Sequence, residues 1–105
     1  MNKTKQKIAV KWEVKIEDGK RSVQLFDQNG RKIDGKNTIW EGNFYCGYNK
    51  LTSLQGAPET VGGGFYCSSN QLTSMQGAPE TVGGDFYCNS NQLTSLQGAP
   101  ETVEG

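Results

Sequence analysis

The sequence has no histidine, only three cysteines and three prolines, and no lysine or arginine after Lys50. Each scarcity removes a class of function. Without histidine, Cys–His and Ser–His nucleophilic arrangements are excluded, and with them the commonest metal ligand. Carboxylate-only catalysis needs groups that converge, whereas Glu59, Glu80 and Glu101 recur at one position of a repeat and predict a surface ladder. The expectation is a non-enzymatic protein that needs no metal or other cofactor. No apolar run approaches the roughly 18 residues of a membrane span, and the polar, basic stretch 1–7 lacks the apolar segment of a secretory signal. A cytoplasmic protein with no membrane contact is therefore expected. Hydrophobic residues make up only 33% of the 105, while glycine supplies 14, a composition suited to thin repeated layers instead of one thick core.

The formal net charge of zero hides an asymmetry. Segment 1–41 carries ten basic and six acidic residues, or +4, and 42–105 sets Lys50 against Glu59, Glu80, Asp85, Glu101 and Glu104, or −4. Such a molecule is electrically polar, which favours head-to-tail protein contact and disfavours nucleic acid. The plainer alternative is that these charges only solvate a sheet face.

Internal similarity sets the layout. Gly42-Asn43-Phe44-Tyr45-Cys46 returns as Gly63-Gly64-Phe65-Tyr66-Cys67 and as Gly84-Asp85-Phe86-Tyr87-Cys88, a period of 21. The stretch Asn49 to Val61 matches Asn70 to Val82 and Asn91 to Val103, with Gln for Lys50 and Met75 for Leu. Three units follow, 42–62, 63–83 and 84–104, and a period in the twenties predicts a solenoid in which each unit buries its apolar side against its neighbours. In Phe-Tyr-Cys, strand alternation sends Phe and Cys inward and Tyr45, Tyr66 and Tyr87 outward. Asn49, Asn70 and Asn91 stand where the chain leaves the strand and are placed to satisfy backbone groups of adjacent turns. Gly-Ala-Pro-Glu-Thr returns across the back, where proline forbids a long helix.

The Asn91-Gln92-Leu93-Thr94-Ser95-Leu96 stretch and its two relatives resemble the Asn-x-Leu-x-x-Leu half of a leucine-rich repeat. The strand half departs from that pattern, with Phe-x-Cys where the family has Leu-x-Leu. The period and wording are most similar to the compact bacterial class, and similar Phe-Tyr-Cys repeats occur in small phage and bacterial proteins. The resemblance covers 42–105 and implies a short solenoid with a parallel sheet on one face, a face that in this family usually binds protein.

Segment 1–41 has another rhythm. Ile8, Val10, Trp12, Val14 and Ile16 alternate with polar residues, Asp18-Gly19 marks a hairpin turn, and Val23 and Leu25 begin a second run. A further turn at Asn29-Gly30 and strands near Ile33 and Ile39-Trp40 complete an antiparallel meander, expected to cap the first unit over Phe44, Leu51 and Leu54. The fold class expected is thus mostly β: a short solenoid with an N-terminal antiparallel cap.

Two sharper readings of the cysteines fail on geometry. Stacked strands set equivalent residues about 4.8 Å apart, so Cys46, Cys67 and Cys88 make a row and not the tetrahedron of a zinc site, and no Cys-x-x-Cys exists. That spacing also exceeds the Cβ separation of a disulfide, about 3.5–4.5 Å. Small buried thiols acting as hydrophobes are expected. Gly62-Gly63-Gly64 lacks the Lys-Ser/Thr of a phosphate loop.

The candidate working surface is the row Tyr45, Tyr66 and Tyr87, flanked by Asn43, Gly64 and Asp85 on one side and Gly47, Ser68 and Asn89 on the other. Tyrosine offers large contact area at small entropic cost, beside polar residues that adapt. The same row would also arise if repetition had copied a tyrosine whose whole purpose is cross-strand stacking. A second candidate is the outer edge formed by Phe86, Tyr87, Cys88, Leu93 and Leu96, where homodimerisation is expected and Glu104 stands as a guarding charge. The functional expectation is a protein-binding module. Its alternatives are a phage-encoded inhibitor of a bacterial defence system, working in the bacterial cytoplasm, and a carbohydrate-binding module using Trp12, Trp40 and the tyrosines.

Overall fold

The structure, a computed structural model, describes residues 6–94, 97–100 and 102–103. Leu96, Glu101 and Glu104, each singled out above, lie outside them. The chain is mostly β, with eleven strands and no helix among the described residues, so none there is long and apolar enough to cross a membrane.

Alternation sets the first elements. After β1 (Lys7–Ile8), β2 (Lys11–Glu17) presents Trp12, Val14 and Ile16 between charged neighbours, and β3 (Lys20–Phe26) buries Val23 and Leu25. The intervening Asp18 and Gly19 both have positive φ, 53° and 75°, the two-residue turn whose twist matches antiparallel strands. β2 and β3 pair from Glu17↔Lys20 back to Lys11↔Phe26. The carboxylate of Asp27 then accepts from the N–H groups of Asn29 and Arg31, closing a turn that brings β4 (Lys32–Ile33) antiparallel onto Leu25 and Phe26.

Here the meander stops short of its expected end. β5 (Thr38–Trp40) does not pair with β4 but runs parallel between β1 and β7 (Thr60–Val61). The reason is register. Ile39↔Thr60 and Trp40↔Val61 are each 21 residues apart, the spacing of the repeats, so the repeated path starts ahead of residue 42 and sheet hydrogen bonding runs from β5 directly into the repeats.

Two parallel sheets arise from the repeats. One comprises β6 (Phe44–Tyr45), β8 (Phe65–Tyr66) and β10 (Phe86–Tyr87), in the order β10-β8-β6 with Phe opposite Phe and Tyr opposite Tyr. The other runs β1-β5-β7-β9-β11, where β9 is Thr81–Val82 and β11 is Thr102–Val103. A parallel sheet on one face was the expectation; the return side carries a second. Proline blocks a helix in the return segment but leaves the following Thr-Val extended, and Val61 and Val82 turn fully inward.

The interior lies between these sheets. Phe44, Cys46, Leu51, Leu54 and Val61 have no exposed surface, nor do Phe65, Cys67, Leu72, Met75 and Val82. The phenylalanine rings stack, Phe44 on Phe65 and Phe65 on Phe86, with centroids 5.6 Å apart in each pair. Trp12 and Trp40 pack on Phe44 at 5.4 and 4.9 Å, so the N-terminal strands close that end of the stack. The hairpin is also tied down by backbone bonds, Val23 N–H to the Gln55 carbonyl and Thr52 N–H to that of Arg21.

Asparagine seals the corner where the chain leaves the Phe-Tyr strand. Asn70 Oδ1 accepts from the N–H of Asn49 (3.0 Å) and Leu51 (2.9 Å), and its Nδ2 donates to the carbonyls of Cys46 (3.0 Å) and Cys67 (2.9 Å). Backbone groups of two successive units are thereby satisfied by one side chain. Asn91 repeats the arrangement on Leu72, Cys67 and Cys88.

Candidate functional site

The inward pull on phenylalanine and cysteine leaves one face of the Phe-Tyr sheet to the tyrosines. Because β6, β8 and β10 pair in register, Tyr45, Tyr66 and Tyr87 form a continuous stack, with centroids 4.9 and 5.3 Å apart and planes within 11° and 18°. Tyr45 is 62% and Tyr87 50% exposed, and Tyr66 between them is half-buried. Stacking covers the ring faces on one another. The surface left to a ligand is a comb of ring edges and hydroxyls.

The flanking residues differ in what they do to those hydroxyls. Asn43 Nδ2 donates to Tyr45 Oη (2.8 Å), and its Oδ1 accepts from the N–H of Gly64 (2.7 Å). The Asn43 carbonyl is taken by Trp40 Nε1 at 2.8 Å. At Gly64 the Tyr66 hydroxyl lies where a β-carbon would stand, so any larger residue would displace that ring. Asp85 is exposed and accepts a long 3.5 Å contact from Tyr87 Oη. On the other flank Ser68 Oγ donates to the Asn89 side-chain oxygen, while Gly47 gives its carbonyl to Asn49 Nδ2 (2.8 Å). The structure thus brings Asn43, Tyr45, Tyr66, Ser68, Asp85, Tyr87 and Asn89 onto one sheet face and its margins.

Tyr48 was not among the residues expected at this surface. It is 85% exposed and has φ of 60°, a left-handed conformation that costs a bulky side chain energy. The same backbone conformation recurs at its equivalents, Ser69 (60°) and Ser90 (59°). The signal lay in the repeats: an aromatic stands in one unit where the other two have serine.

Acid–base properties of the site follow from packing. The Tyr66 phenol is pushed above its usual range, chiefly by desolvation and then by the charges of Tyr45, Asp85 and Tyr87, which keeps it protonated. Burial raises the Cys67 thiol to about 12, raises that of Cys46 further, and raises Cys88 as well. All three are free thiols held away from the thiolate form that reacts or binds metal. Among the described residues, no group of three or more Cys, Asp and Glu is placed to hold a metal ion.

Phe86, Cys88 and Leu93, named above with Tyr87 as an edge, are half-buried, unlike their fully buried equivalents in the first two units, and β10 is the outermost strand of its sheet. Elsewhere an open groove of about 930 Å³ lies between the hairpin and the return segments. Four lysines and five carboxylates surround its floor of Gly56, Ala57, Gly77 and Ala78, so it offers no field of one sign. Comparison of the chain with family models, curated proteins and solved structures gave no match.

Proposed function

We propose that the chain is a non-enzymatic protein-binding module, a short solenoid of the leucine-rich-repeat kind whose tyrosine face is the contact surface. One observation carries this reading: the exposed positions at which the three units differ are gathered around the tyrosines. Of six differing positions in the 21, three flank the Phe-Tyr strand, namely Asn43/Gly64/Asp85, Gly47/Ser68/Asn89 and Tyr48/Ser69/Ser90, and a fourth, Lys50/Gln71/Gln92, follows directly on the asparagine corner. On the return side the exposed glutamines Gln55, Gln76 and Gln97 are identical in all three units, and the one exposed position that differs there is its last, Gly62/Gly83/Glu104. Exposure alone therefore does not account for the divergence. A scaffold that keeps its frame and varies one face has the economy of a repeat protein presenting a binding surface.

The stack also bears on the kind of ligand. Sugars and nucleobases pack on open ring faces, and both faces of the central ring, Tyr66, are covered by its neighbours here. Ring edges, hydroxyls and small polar neighbours suit a protein surface, on which tyrosine contributes area and hydrogen bonds with little ordering cost.

Selection of a displayed random-peptide library on the wild-type protein tests the reading. Selected peptides are expected to perturb the NMR resonances of Tyr45, Tyr66 and Tyr87. Tyr66→Ala, at an exposed ring edge, is expected to weaken them by about thirtyfold, the effect of a central aromatic contact. Peptides that map to Gln55 and Gln76 on the return side, or bind the variant unchanged, would sink the proposal.

A further inference from the structure

We propose that the partner recognised by the tyrosine face is an extended protein segment carrying arginine or lysine, with its cation seated against Asp85 beside the Tyr66 and Tyr87 hydroxyls. This rests on the protein-binding reading above and adds the partner's chemistry.

Charge is the first support. From residue 51 onward every ionic side chain in the sequence is a carboxylate. Among the described residues the ion pairs are Lys7–Asp34, Lys11–Glu13 and Lys15–Glu17, all in the N-terminal strands and their loops, so Asp85 has no counter-ion. Its 3.5 Å contact with Tyr87 Oη is too long to use up the acceptor capacity of a carboxylate. Asp85 is also the only ionised member of the row Asn43, Gly64 and Asp85 that borders the hydroxyls.

Shape is the second. Gly64 puts no side chain between those of Asn43 and Asp85, so the Tyr66 hydroxyl fills that space, with no hydrogen-bond partner among the described residues. A phenol is neutral near pH 7, so its oxygen offers lone pairs to a donor. A carboxylate and phenol oxygens side by side match the forked donors of a guanidinium, and an ammonium satisfies the same groups as a point charge.

Length and direction are the third. Strands about 4.8 Å apart set the outer tyrosines roughly 10 Å from each other, which three residues of extended chain span at about 3.3 Å each. Lys50 belongs to the first unit and Asp85 to the third, so the field along the row changes sign and orients a segment with a cation at one end. Tyr48, 85% exposed and two residues before Lys50, adds an open aromatic ring to the same unit.

The test compares random heptapeptide selections on the wild type, on Asp85→Asn, on Asp85→Lys, and on a variant with all three tyrosines of the row changed to serine. Asp85 is exposed and bonds core residue Phe65 only through its main-chain carbonyl, so side-chain variants report binding even if the tyrosine variant folds poorly. Wild-type selections are expected to be enriched in arginine or lysine, to weaken about tenfold with Asp85→Asn, and to disappear with Asp85→Lys. They are also expected to weaken as salt rises from about 0.05 to 0.5 M. Tyrosine-dependent peptides that are neutral or acidic, or basic peptides indifferent to Asp85, overturn this inference and leave the binding surface standing. Peptides indifferent to the tyrosines overturn the surface itself.

Discussion

Replacing Asn70 by alanine tests whether one buried amide holds successive units together. Asn70 is 7% exposed and makes four hydrogen bonds, all to main-chain groups. Alanine removes all of them at once. The N–H of Leu51 and the carbonyls of Cys46 and Cys67 belong to residues without exposed surface, so water reaches these groups poorly. An unsatisfied buried polar group costs about 1–3 kcal/mol, and two or three of them put the expected loss at about 3–5 kcal/mol, since partial relaxation recovers some. Against a total stability of roughly 5–15 kcal/mol for a domain, this is close to unfolding. Urea denaturation followed by tryptophan fluorescence at Trp12 and Trp40 measures it. Asn91→Ala, at a half-buried position, is expected to cost less, and Asn49→Ala least, since among the described residues the Asn49 side chain bonds only the Gly47 carbonyl. Asn70→Asp adds a sign. A buried carboxylate facing two carbonyls has its folded pKa raised, so the folded state keeps the extra proton and stability falls as pH rises from the unfolded value of about 3.9 up to the raised folded value. If Asn70→Ala costs no more than Asn49→Ala, water replaces the amide and the sealed corner is not a source of stability.

The phenylalanine stack predicts that Phe65→Ala, between two rings, costs about 3–5 kcal/mol, and that Phe86→Ala costs less because its ring is half-buried; thermal unfolding compares them. Thiol burial predicts an order of reaction with iodoacetamide at mildly alkaline pH, Cys88 ahead of Cys67 and Cys46, read by peptide mass mapping; a fast Cys46 contradicts its burial. The same raised thiols predict a stability loss at high pH. Above about 8.5–9 the unfolded chain loses thiol protons that the folded chain keeps, so the urea midpoint falls as pH rises, and Cys67→Ala flattens the slope. Homodimerisation at Phe86, Cys88 and Leu93 predicts a solution mass that rises with concentration and reverts to monomer with Leu93→Glu; a constant monomer mass removes it.

Much of the local structure was legible in the sequence because it follows from short-range sterics. Alternation alone sends Phe44 and Cys46 inward and Tyr45 outward, and copying at a fixed period carries the same orientation to residues 65–67 and 86–88. The Asp18-Gly19 turn and the role of Asn70 were legible for the same reason, since residue type and position prescribe what the backbone needs there. Tertiary structure decided which edges meet. Ile39-Trp40 reads as a strand in any register, and only the open edge of β7 makes it a parallel continuation of the repeats instead of the last strand of a meander. Thr60-Val61 is too short to announce a sheet, yet it forms one because Val61 and Val82 share an interior and their backbones then align. The seating of the Tyr66 hydroxyl over Gly64, and of Asp85 with no counter-ion among the described residues, likewise emerges only when strands 21 residues apart lie side by side. A two-residue strand carries its own side-chain directions, but its partner is set by the free energy of burying a surface that distant residues build.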